Sequence, residues 1–206
     1  VASRRRTSQR DGLVWLSSRL STRLMHIQTH ALVGWVLGNT VRLNPRERFF
    51  CLAAGVLPDV DGLGILVSQE LYWNLHHRVG HNVFFFALVA GVAAAMSSHR
   101  LAVFGICLLT GALHFAADFV GSGPEWLLHP WWPISDAGYE WERAWPLFSW
   151  QNIGTFFVLF AITLAIARWK GRTPLERVMP SLDAKFVKLL GGTPRLDAEA
   201  KSATLS

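Results

Sequence analysis

Five apolar stretches, at 30–39, 49–67, 82–98, 101–120 and 152–169, constrain this chain more than any other feature. None alternates apolar with polar residues, so the barrel pattern is excluded and helices are the elements able to satisfy their own backbone in lipid. The third and fifth approach the ~17–25 residues that crossing the hydrocarbon requires. The other three are shorter or carry polar residues toward one end, and the second is interrupted by Pro58 and two aspartates. The chain of 206 residues is 51% hydrophobic and 17% charged, where an ordinary soluble domain carries about a quarter charged residues. The expected fold is all-α: a polytopic helical membrane protein, a compact bundle of about four to five hydrophobic helices. Gly34, Gly38, Gly55, Gly91, Gly105 and Gly111 are expected where helices approach one another closely.

Three parts follow from composition. Residues 1–24 form an Arg/Ser-rich leader, disordered or upstream of the true start; 25–169 hold the membrane domain; 170–206 form a cytoplasmic tail with a weakly amphipathic segment at 182–192. Cys51 and Cys107 each lie in an apolar run and read as small buried hydrophobes. The net charge of +6 would suit nucleic acid. Its arginines flank apolar segments, however, as membrane proteins place them, and no nucleic-acid partner is expected.

Loop charge sets the orientation. Arg42, Arg46 and Arg48 separate the first two stretches, His99 and Arg100 the third and fourth, and Arg168, Lys170 and Arg172 follow the fifth. These segments share one side if every stretch crosses, and that side is cytoplasmic by the positive-inside rule. The other side receives 59–81 and 118–151, with Asp59, Asp61, Glu70, Asp118, Glu125, Asp136, Glu140 and Glu142. Segment 121–151 also carries six of the ten tryptophans (126, 131, 132, 141, 145 and 150). It reads as an interfacial aromatic belt in preference to a lid over a cleft.

Ionisable groups inside apolar frames are costly, and here they come at short spacings. His26 and His30, His77 and His81, and His114 and Asp118 are each four apart, on one face of a helical turn. Leu57–Asp61 adds two aspartates, and His76 adjoins His77. Taken singly, each has a bland explanation: a cap, a turn, a core histidine, or a pair that neutralises itself. His26, His99 and His129 are read as bystanders. The expected topology nevertheless brings His30, Asp59/Asp61, His76–His81 and His114/Asp118 to one membrane face. Such a set suits one or two zinc-like ions with a position open for water. Arg78 is either a phosphate partner or a snorkelling arginine at the headgroup layer.

"THALVGWVLG", "LPDVD", "HHRVGHN" and "HFAAD", in this order, resemble the membrane-bound predicted metal-dependent hydrolases of the LexA-regulated inner-membrane type. The resemblance covers residues 25 to about 135, with 169 as its outer limit. It implies an integral membrane enzyme of the inner membrane, distantly like zinc-dependent phospholipase C. The family's Thr-His falls on Thr29-His30, its Leu-Pro-Asp-x-Asp on Leu57–Asp61, its His-Arg-Gly-x-Thr-His-Ser on 77–82, and its His-x-x-x-Asp on His114 and Asp118. One departure stands out: the family's two loop histidines differ by five in number, whereas His77 and His81 differ by four, so either His76 or His77 takes the first role.

The function expected is therefore metal-dependent hydrolysis of a phosphoester, with membrane lipid as partner or substrate. His30, Asp59, Asp61, His76 or His77, His81, His114 and Asp118 are the expected ligands. Asp61 is alternatively a base or a support for a histidine, and Arg78 a catalytic cation. A metal or proton transporter is the rival, although a relay would need polar groups along the whole bilayer depth. A purely structural metal site is the third reading.

Overall fold

In the computed structural model, residues 27–124 and 126–195 are described; the leader, His26, Glu125 and the end of the tail lie outside them. Among the described residues the regular elements are helices, as expected, and a non-helical segment at 122–149 joins two of them. Helix α1 covers 27–38, α2 Pro45–Val56, α3 Gln69–Leu75, α4 Val83–Ala95, α5 Arg100–Gly121, α6 Trp150–Lys170 and α7 Pro180–Leu189.

Local sequence explains several of the boundaries. Asn44 and Glu47 form a reciprocal capping box at 2.9 and 3.0 Å, and Pro45 follows in the first turn, where its missing N–H costs nothing. Asn82 caps α4 by accepting the Phe85 N–H at 2.9 Å. Gly171 ends α6 at φ 65, the left-handed conformation that glycine adopts without strain.

Pro58 does not break the second stretch. The chain tightens after α2 into a 3₁₀ segment, Leu57–Leu66, and continues. A proline lacks the donor that an α-helix needs, and the tighter winding re-pairs the neighbouring groups. Pro45–Leu66, Arg100–Gly121 and Trp150–Lys170, of 22, 22 and 21 residues, are long and apolar enough to cross a membrane. The expectation for the third stretch is corrected here. Its helix α4 has 13 residues, about 20 Å at 1.5 Å per residue, because Asn82 caps one end and a turn at Met96 closes the other. The fourth stretch, not the third, has spanning length.

The core lies between α2, α4 and α5, where Leu43, Cys51, Ala54, Ala90, Ala93, Val103 and Cys107 are buried together. Both cysteines are free thiols within it. Helix α1 lies directly on α2: a Cβ at Gly34 would stand 2.1 Å from the Cys51 carbonyl oxygen, and one at Gly55 2.2 Å from that of His30. Gly91 and Gly105 depart from expectation, since neither has a neighbour within 4 Å. They face outward. Helix α6 stands apart from this core and packs more against α7 than against any core helix; Phe157, Val158 and Trp169 are exposed along it.

The bundle has two unlike ends. At one, Glu47 accepts from the Ser98 and His99 N–H groups at 2.9 and 3.0 Å, Arg48 forks onto Glu176 at 2.5 and 2.8 Å, and Lys170 reaches the Asn39 carbonyl at 2.5 Å. The basic loops thus share one end. The histidines gather at the other.

Candidate metal centre

Four segments contribute side chains: α1 gives His30, the 3₁₀ segment Asp59 and Asp61, the loop before α4 His76–His81, and the last turns of α5 His114 and Asp118. The loop is fitted to its support. Gly80 lies so close to the 3₁₀ segment that a Cβ there would stand 2.0 Å from the Pro58 carbonyl oxygen. Asn82 donates to the Arg78 and Val79 carbonyls at 2.7 and 2.8 Å, which closes the loop over its own cap. His77 sits at φ 66, a conformation that non-glycine residues enter only when held. The His129 N–H, donating to its carbonyl at 3.1 Å, holds it.

The ligand atoms converge. His114 Nε2 is 3.0 Å from His81 Nε2 and 3.0 Å from Asp118 Oδ2, and His81 Nε2 is 3.2 Å from the same oxygen. Asp59 Oδ1 is 3.7 Å from both imidazole nitrogens. Ligands held at ~2.0–2.2 Å around a tetrahedral ion stand about 3.3–3.6 Å apart, which is the spacing found here to within a few tenths. His30 stacks on His114 with ring centroids 3.7 Å apart and places Nε2 3.2 Å from Asp118 Oδ1. His30, Asp59, His114 and Asp118 offer ligand atoms all within 4.8 Å of one another, as do His77, His81 and Asp118.

Tautomers sharpen the picture. His114 Nδ1 faces the Gly55 carbonyl at 2.8 Å, and a carbonyl only accepts, so Nδ1 carries the proton and Nε2 a lone pair. His81 Nδ1 faces Asp61 Oδ2 at 3.0 Å, with the same consequence for the neutral ring. Two imidazole lone pairs therefore point at carboxylate oxygens and at each other. Either extra protons or a cation must fill that place. Burial lowers the affinity of His81 for a proton, but the surrounding Asp118, Asp59 and Asp61 carboxylates outweigh it and raise its pKa well above the ordinary imidazole value. Burial, aided by His81 and His76, pushes His77 well below that value, so it is neutral. His77 Nδ1 and Asp59 Oδ2 are buried with no hydrogen-bond partner among the described residues. Donor types, spacing and lone pairs all fit a divalent ion.

Asp61 occupies a supporting place. It accepts from His76 Nδ1 at 2.7 Å, His81 Nδ1 at 3.0 Å and the Gly80 N–H at 2.9 Å. Its oxygens orient imidazoles, as carboxylates behind metal ligands do. Asp61, His76 and His81 also offer ligand atoms within 4.8 Å of one another, so His76 and His77 each share a candidate group with His81, His76 together with Asp61 and His77 together with Asp118. Arg78 lies at the rim, 3.3 Å from Asp136 on the facing loop.

Three contributors escape sequence reasoning. The Gly55 carbonyl and the Gly80 N–H leave no signal, since every residue of their type carries the same groups. His129, read as a bystander, is buried; its ring faces the Asp136 carbonyl at 3.0 Å while its backbone holds His77. The Trp-rich segment is divided. Trp126 packs against Trp73, His76 and His77, with centroids 5.0, 5.7 and 5.1 Å away, whereas Trp131, Trp141 and Trp150 are exposed as a belt would have them. Behind His30 lies a cavity of about 150 Å³, walled by Ala117, Val120 and Trp145, with Thr29, Asn152 and Thr155 as its polar groups.

A family model for the YdjM inner membrane protein matches residues 25–184. No curated protein matches the chain, and neither does any solved structure. The match spans the bundle, the His/Asp cluster and the first half of α7, and the chain belongs to that family.

Proposed function

We propose that this YdjM-family membrane protein is a metal-dependent hydrolase that cleaves a phosphoester, with a membrane lipid as the favoured substrate. The observation that carries the reading is the meeting of His81 Nε2, His114 Nε2, Asp118 Oδ2 and Asp59 Oδ1 at 3.0–3.7 Å, with the outer nitrogens of both rings already tied. These four would hold a zinc-type ion, with His30 and His77 beside it for a fifth position or a second ion. When bound, such an ion supplies Lewis acidity, which acidifies water and draws electron density from a phosphoryl oxygen.

The protein's own groups do the rest. Asp61 and the Gly55 carbonyl hold two rings in one tautomer, so no reorganisation is needed when charge develops. His76 is tied through Nδ1 to Asp61 and is partly exposed, so its Nε2 is left to take a proton from water or return one to the leaving oxygen. Trp126 and the buried Leu128 and His129 limit water around these rings. The cavity beside His30 lies between α1, α5 and α6, and its largely apolar wall suits a chain arriving sideways from lipid.

The test is hydrolysis of phospholipid in mixed micelles by the zinc-loaded full chain. His114→Ala is expected to lose metal and activity together. His76→Ala is expected to keep its metal and lose about 10²–10⁴-fold in kcat, the range for a general acid–base group. Loss of activity in neither variant, or no hydrolysis by metal-loaded protein, would overturn the assignment.

A further inference from the structure

Helix α7 has three unlike sides. Asp183 and Val187, four apart, are buried. Leu182, Phe186 and Leu189, at i, i+4 and i+7, form a second row, and all three are exposed, Leu189 at 79%. Ser181, Lys185 and Lys188 repeat that spacing in a third row, also exposed. Residues three and four apart are neighbours on a helix surface, so each row is one side of α7. A helix seated on its own protein needs one inward side. An apolar side turned outward as well is unfavourable in water and favourable in lipid.

The inward side is fixed in place at the end of α6. Asp183 accepts the Thr173 N–H at 2.5 Å, and the Gly192 N–H donates to the Val187 carbonyl at 2.9 Å. A Cβ at Gly192 would stand 2.9 Å from the Arg168 carbonyl oxygen and 3.1 Å from that of Ala167. The chain leaving α7 is therefore pressed against the last turn of α6, a helix of spanning length. That turn carries Arg168 and Lys170, with Trp169 82% exposed between them. Basic residues around an outward tryptophan mark the headgroup layer at the end of a span. Leu189, just before this contact, is held near the same depth.

We propose that α7 is an interfacial helix: the row Leu182, Phe186 and Leu189 enters the acyl boundary of the leaflet at the basic end, and Lys185 and Lys188 rest on anionic phospholipid headgroups. A helix lying there meets protein on one side, hydrocarbon on another and phosphate in water on the third, which matches the three rows in order. The lysine stems lie beside the apolar row, and their ammonium groups reach outward to phosphate. Arg168 and the exposed Arg177 add positive charge, which an anionic leaflet attracts over short range. The inference does not rest on the hydrolase reading, since α7 lies at the end of the bundle opposite the histidines.

Two measurements on the full chain test it. In the first, a nitroxide is attached at Phe186→Cys or at Ser181→Cys, both exposed positions, against the buried Cys51 and Cys107. In nanodiscs of phosphatidylcholine and phosphatidylglycerol, collisions at 186 should be dominated by oxygen, and those at 181 by a water-soluble nickel chelate. In the second, native mass spectrometry follows phosphatidylglycerol retained by the detergent-solubilised chain. Replacing Lys185 and Lys188 together by Gln should weaken that retention about fivefold and leave phosphatidylcholine unaffected. Arg46→Gln, whose guanidinium lies instead over the Phe50 ring, should change neither. Nickel-dominated collisions at both sites would mean that the row faces water and would overturn the proposal. So would a label at 186 shielded from both reagents, which would mean that a second copy or the chain's own end covers the row. Retention of phosphatidylglycerol that ignores the lysines, or that falls equally in Arg46→Gln, would overturn it too.

Discussion

His81 is the residue on which the candidate centre turns. It has no exposed side-chain surface, and carboxylates approach both of its nitrogens. In the free protein those carboxylates hold a proton on it despite burial, so an entering cation must displace that proton. The sign follows: below the raised pKa the ring is protonated and competes with metal, and above it competition ends. Zinc affinity, measured by chelator competition, should rise about tenfold per pH unit for one displaced proton and then level off. Affinity that is flat across the acid and neutral range would contradict this. Asp61→Asn separates support from ligation, and it should weaken metal about 10–100-fold without abolishing binding. The sequence made the set of histidines and aspartates legible, because i, i+4 spacing and the loop-charge rule place them on one face. It could not rank them. Whether Asp61 binds a metal or a histidine depends on distances set by the Gly80 turn, and the partner of His114 is a backbone carbonyl.

Among the elements, the loop at 76–82 and the 3₁₀ segment are a matched pair. Gly80→Ala would drive a Cβ into the Pro58 carbonyl, and thermal denaturation should show a loss of about 1–3 kcal/mol, with metal affinity falling alongside. Gly105→Ala meets open space within a helix, so it should be neutral or stabilising by up to about 1 kcal/mol. If the two behave alike, the close approach described here is wrong. Apolar length alone identified the helices but misjudged which of them span. The run at 82–98 reads long because Ala93–Ala95, Met96, Ser97 and Ser98 follow one another without a strong breaker, while the 49–67 run reads broken because a proline in a tightening 3₁₀ turn looks the same as a helix end.

For the molecule as a whole, the two ends are chemically opposed and an apolar core separates them. Leu43, Cys51, Ala54, Ala90, Ala93, Val103 and Cys107 form a buried apolar cluster, where a proton or ion relay would need polar stepping stones. The family match and three apolar helices place the protein in the membrane. From the arginines at 42–48 and 168–172 we propose, by the positive-inside rule, that the histidine end faces away from the cytoplasm. An impermeant thiol reagent applied to intact cells should label Glu142→Cys and leave Arg177→Cys untouched, against a low background because Cys51 and Cys107 are buried. The reverse pattern would place the site inside. The central claim is that side chains from four segments enclose a cation, and its most direct test is elemental analysis of the full chain purified without chelator. One or two zinc-type ions per chain, lost in both His81→Ala and Asp118→Ala, is the predicted result. A metal-free protein that takes up no zinc, or the same metal content in wild type and both variants, would contradict it.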